Sequence, residues 1–151
     1  MAAVFDAMQD FFTTDEWTFE QVEGHPILRM NFAGDSGRWT CFAQTREEQA
    51  QFIFYSRLPV NVKPEDRASM AEFITRANYG MINGNFEMDW DDGEVRYKTM
   101  IDVEGAELSH TMAKNTVYAN VLTMDRYYPG LMKVIYGEVS PAEAVKSVEQ
   151  A

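Results

Sequence analysis

The residue types able to do covalent or metal chemistry are scarce in this chain: two histidines, His25 and His110, and one cysteine, Cys41. A zinc site needs three or four such ligands at short spacings, and a thiol nucleophile needs a base beside it. His25 falls in a Gly-His-Pro turn and His110 at a helix start, far from each other and from Cys41 in the chain. The stretch around the cysteine, RWTCFAQT, alternates like a strand with Trp39, Cys41 and Ala43 on one side, so a buried structural thiol is expected. A single cysteine also excludes an intramolecular disulfide.

Acids are plentiful, and Asp89-Trp90-Asp91-Asp92-Gly93-Glu94 invites comparison with a calcium loop. An EF-hand requires glycine at its sixth position and glutamate at its twelfth. Counted from Asp89, glycine comes fifth and the twelfth residue is Met100, so the segment reads as a hairpin tip. Neither GxxxxGK[ST] nor GxGxxG is present, and the glycines read as turn residues. No catalytic residues, cofactor or metal are therefore assigned.

The elements that must position these residues follow from length and periodicity. At 151 residues, with 46% hydrophobic and 13% aromatic content, the chain has enough apolar surface for one domain with a real core. The net charge of −11 opposes both nucleic acid and an anionic membrane surface; Arg96 and Lys98 are interleaved with acids. There is no apolar run of the roughly 20 residues that cross a bilayer. The start, MAAVFDAMQDFF, lacks a basic, cleavable leader, which predicts a cytoplasmic protein.

Residues 4–12 carry one apolar stripe at helical spacing. Strands are expected over residues 18–23, 27–33, 38–45 and 50–58, with a glycine-supplied positive φ turning the chain at Gly34-Asp35-Ser36-Gly37. The segment AQFIFYSRL is apolar on both faces, as in a central strand. A helix begins near Pro64 and presents Met70, Phe73, Ile74 and Ala77 on one side. Residues 77–103 then read as a helix end and a long hairpin.

With Asp92-Gly93 as a two-residue turn, Trp90 faces Val95, Met88 faces Tyr97 and Phe86 faces Thr99, while Asp89 meets Arg96 and Glu87 meets Lys98. A helix over residues 109–124 is expected to be broken or kinked at Pro129-Gly130. Ser140-Pro141-Ala142-Glu143 is a capping box that opens a last helix. Hairpins rather than βαβ crossovers join the strands. The expected fold is therefore α+β, an antiparallel sheet with helices packed on one side in the order α-β-β-β-(β)-α-β-β-α. Tyr127, Tyr128, Leu131 and Met132 flank the proline, where they either pack on the sheet or form a partner or dimer contact.

Several stretches resemble the YbjN family, described as putative bacterial sensory transduction regulators. They are Asn78 with Gly80, Gly84-Asn85-Phe86-Glu87-Met88-Asp89, and Asp92-Gly93-Glu94-Val95-Arg96-Tyr97-Lys98. Asp125-Arg126-Tyr127-Tyr128-Pro129, and Gly137 followed by Ser140-Pro141 and Glu143-Ala144, extend the likeness across the second half of the chain. The resemblance implies a fold like that of type III secretion chaperones, which commonly dimerise and bind extended partner segments, and it implies no catalytic activity.

The function expected is a non-enzymatic regulator or chaperone-like adaptor that binds another protein and forms a homodimer. Its surface acids would favour a basic partner. The alternative is a small-ligand sensor with a pocket between helix and sheet lined by Phe52, Phe54, Phe73 and Met88, and an enzyme built on unrecognised acids comes third.

Overall fold

A computed structural model describes residues 2–137 and 139–150. Helix α1 (Ala3–Thr14) leads into strands β1 (Phe19–Gln21), β2 (Ile27–Ala33), β3 (Arg38–Arg46) and β4 (Gln51–Arg57). Helix α2 (Arg67–Asn78), strands β5 (Asn85–Met88) and β6 (Val95–Asp102), and helices α3 (His110–Ile135) and α4 (Pro141–Glu149) follow. The six strands form one antiparallel sheet in the order β1-β2-β3-β4-β6-β5. This is the expected α+β architecture. Strand β2 has the expected bounds, and β4 lies inside the sheet, as its two apolar faces require.

Alternation along the strands sends Met30, Cys41, Phe54 and Tyr97 to one face, where α1, α2 and α3 bury them. Helix α4 packs on α2 and α3 rather than on the sheet. Phe52, Phe54 and Phe73 are completely enclosed in this core, with Met88 packed at its margin. Side chains fill the space where the sequence suggested a ligand pocket. Helix α1 is anchored from a distance: the Glu47 carboxylate accepts from the free backbone N–H groups of Val4 (3.0 Å) and Phe5 (3.1 Å) at the helix's positive end.

The β5–β6 hairpin keeps its expected faces but not its expected register. Met88 pairs with Val95, Glu87 with Arg96 and Phe86 with Tyr97, two residues away from the pairing that an Asp92-Gly93 turn would impose. The loop is four residues, Trp90 to Gly93, closed by Asp89 N–H to Glu94 O (2.9 Å) and Gly93 N–H to Asp89 O (2.8 Å). Because the side-chain period along a strand is two, this shift leaves each apolar side chain on its face. It does move Trp90 out of the ladder to an exposed position. The Glu87 carboxylate takes both cations, Arg96 at 2.6 Å and Lys98 at 3.3 Å, and Asp89 takes neither.

Of the broken and kinked helices expected at Pro129, the broken one does not form: the proline lies inside a single 26-residue helix. One lost backbone hydrogen bond is outweighed by burial on either side of it, at Tyr127, Gly130 and Leu131.

Candidate functional site

The rare reactive side chains are not brought together. Cys41 is fully buried with its sulfur 3.6 Å from Ser56 Oγ, which in turn accepts from Trp39 Nε1 at 2.9 Å. Burial pushes its thiol up to about 12, although the Ser56 and Trp39 hydrogen bonds pull the other way, so the thiolate does not form near neutral pH. His25 is exposed in its turn, and the His110 ring lies against Phe11 with centroids 5.0 Å apart. Among the described residues no group of three His, Cys, Asp or Glu side chains is placed to hold a metal ion.

The acids at the hairpin tip serve the loop itself. Asp89 Oδ1 accepts from Asp91 N–H and Asp92 Oδ1 from Glu94 N–H, each at 2.9 Å, in local turns of the kind aspartate favours. Arg67 ties the tip down by donating to the carbonyls of Val62, Trp90 and Asp91.

The segment Asp125–Pro129 is devoted to assembling the fold. Asp125 accepts from the backbone N–H groups of Asp35 (3.1 Å) and Ser36 (2.8 Å), clasping the turn between β2 and β3. Tyr128 stacks on Trp39 at 5.6 Å, and the Tyr127 hydroxyl donates to Glu149 at 2.6 Å. This also explains Gly34 and Gly37, whose φ angles are not positive, contrary to expectation. A Cβ on Gly34 would lie 2.3 Å from the Asp125 carboxylate, and one on Gly37 would lie 2.5 Å from the Tyr128 ring. The glycines make room for α3.

Of the four residues proposed from sequence as a contact, Tyr127 and Leu131 are buried within the monomer, and Tyr128 and Met132 are half-buried against its core. Asp125→Ala, which removes two charge-assisted hydrogen bonds, is expected to cost about 1–3 kcal/mol in urea unfolding. A loss well under that range would show that the clasp does not hold the turn.

The surface that stands out is the face of the sheet away from the helices. Its rows are fixed by the strand register: Ile27-Gln44-Ile53-Met100, then Arg29-Phe42-Tyr55-Lys98, then Thr40-Arg57-Arg96-Glu87. Ile53 is only 9% exposed, and Phe42 and Tyr55 are half-buried although no helix covers them. Part of the cover is guanidinium: Arg57 lies 5.1 Å over Phe42 and Arg96 lies 4.1 Å over Tyr55. Ile27, Phe42, Tyr55, Arg57, Glu94 and Arg96 border a recess of about 230 Å³ there. Sequence reasoning missed this surface because its residues come from strands far apart in the chain.

The sheet edges are less available. The Asn78 side chain accepts from Phe86 N–H (2.7 Å) and donates to Phe86 O (3.0 Å), occupying the outer edge of β5 as a further strand would. The opposite edge, β1, is three residues long.

Comparison with known proteins agrees with this architecture. No curated protein matches the chain. The crystal structure of YbjN, a putative transcription regulator from E. coli, superposes with a TM-score of 0.63 at 10% identity, covering 89% of this chain and 90% of that one. At that identity the likeness is one of fold. A family model described as "YbjN: Putative bacterial sensory transduction regulator" matches residues 5–132. The match reaches further towards the amino terminus than the resembling motifs did and stops before Gly137 and the Ser140 cap. Spanning α1 to most of α3, it shows that this chain belongs to the YbjN family.

Proposed function

We propose that this protein is a non-enzymatic regulator that acts as an adaptor, binding another protein through the open face of its sheet. The observation that carries this reading is a face with no covering helix that nonetheless holds Phe42, Ile53 and Tyr55 at its centre. Apolar and aromatic side chains ringed by charge are the usual composition of a protein-binding patch. The capped edge at β5 and the short edge at β1 favour docking on the face over strand addition. The family description as a regulator of sensory transduction is in keeping with a binding role. No helix among the described residues is long and apolar enough to cross a membrane.

The test is site-specific photocrosslinking in cells. A photoreactive amino acid at Phe42 should trap a defined protein that the same group at Thr75, exposed on α2, does not trap. Identical products from both positions, or none from Phe42 across growth and stress conditions, would overturn the reading. A product of twice the chain's own mass would replace the foreign partner with a second copy.

A further inference from the structure

The open face differs in charge from the rest of the molecule. Arg29, Arg38, Arg46, Arg57, Arg96 and Lys98 lie on it, against Glu20, Glu87, Asp89, Glu94 and Asp102. In a chain of net charge −11 this face is close to balanced, so the acidity is carried by the remaining surface. The surface acids that suggested a basic partner are interleaved here with cations.

Two of its cations are poorly compensated. Arg57 and Arg96 are directly opposite each other across β4 and β6, a like-charge pairing that destabilises a ladder. Among the described residues Arg57 has no carboxylate within salt-bridge distance, and Arg96 engages Glu87 only through Nε. Both guanidinium groups lie over aromatic rings, at 5.1 Å for Arg57 on Phe42 and 4.1 Å for Arg96 on Tyr55. Glu94 borders the same recess without an ion pair to either, so a partner's carboxylate between them would relieve the repulsion.

Resting on the docking role proposed above, we infer that the partner presents an acidic segment bearing aliphatic or aromatic side chains. Its carboxylates meet Arg57 and Arg96, and its apolar side chains lie along Ile27, Ile53 and Met100. The two rows are four residues apart on β4, about 13 Å at the rise of a strand, which sets the spacing the segment must offer. A nucleic acid also carries anions and planar groups. However, a continuous run of phosphates would cross Glu20, Glu87 and Asp102 and meet the field of a strongly acidic chain, whereas a segment with a few placed carboxylates need not.

Fluorescence anisotropy separates these cases. The labelled probes are a panel of short peptides mixing Asp and Glu with Phe and Leu, the same panel with Lys replacing the acids, and oligothymidylate. Members of the acidic panel are expected to bind the full chain, with affinity falling as salt rises. Arg57→Glu should weaken them by about tenfold or more and Arg57→Lys by much less, with unchanged circular dichroism reporting an intact fold.

Preference for the basic panel or for oligothymidylate, no binding by any acidic peptide, or acidic binding indifferent to Arg57→Glu would overturn the inference. If crosslinking from Phe42 still captures a specific protein in that event, the docking face stands and only the partner's chemistry is wrong.

Discussion

Gly93→Ala is expected to lower stability by about 2–5 kcal/mol, more than most single substitutions cost. Two effects combine. Gly93 has φ +78°, a left-handed conformation that costs a residue with a Cβ about 1–2 kcal/mol. The added carbon would also lie 2.1 Å from the Val62 carbonyl oxygen and 2.9 Å from its nitrogen. These are backbone atoms, so no side-chain rotation relieves the overlap. The Val62 segment cannot withdraw without breaking the 2.8 Å bond from Val62 N–H to Gly93 O and disturbing Arg67, which holds Val62 O and the hairpin tip together. Overpacking of this kind adds roughly 1–3 kcal/mol.

Gly105→Ala is the matched control. Its φ is also +78°, but nothing lies within 4 Å of its Cβ position, so only the conformational cost of about 1–2 kcal/mol should appear. Urea midpoints of the two variants, compared at equal m, separate strain from collision. Equal losses would mean that the tip is not seated against Val62.

Stability should also fall steeply in alkali. The Cys41 thiol is neutral in the fold and pushed up from 9.0 to about 12 by burial. Its raised value means that the folded chain keeps a proton that the unfolded chain loses. The contribution is therefore complete below pH 9 and is lost as the pH climbs towards 12. Within that window one such group removes about 1.4 kcal/mol per pH unit. Tyr127 is also raised to about 12, by burial first and then by the neighbouring Glu149 carboxylate, and it steepens the loss above pH 10. Tyr97, raised by burial, acts in the same direction. In urea titrations from pH 8 to 11, Cys41→Ala should show the shallower decline. An unchanged slope in that variant would assign the effect to the tyrosines alone.

The local features were legible in the sequence because they depend on neighbours along the chain. The alternation in ILRMNFA gave β2 to the residue, and Met70, Phe73, Ile74 and Ala77 gave the buried side of α2. The Ser140 side chain accepts from Glu143 N–H as its capping pattern foretold. The hairpin shows where such reading stops. Period-two alternation identifies a face but cannot distinguish registers two residues apart, and Asp-Gly is equally at home in a two-residue turn and at the end of a four-residue loop. The longer loop was decided by Asp89 and Asp92 bonding within it and by Arg67 and Val62 holding it, and the last two arrive from a different part of the chain.

The chain's composition and periodicity determined the α+β class, the order of elements and the absence of an evident catalytic motif. Tertiary structure decided what the resembling segments are for and which surface is left open. Asp125 and Tyr128 both belong to a segment that resembles the family, and Tyr128 was also a candidate contact. They proved to be the clasp and the stack that make Gly34 and Gly37 necessary. Net charge averages over the whole chain, whereas recognition depends on which charges lie side by side. Arg57 and Arg96 become neighbours only when β6 inserts beside β4, a pairing made across 38 intervening positions of the sequence that no local pattern encodes.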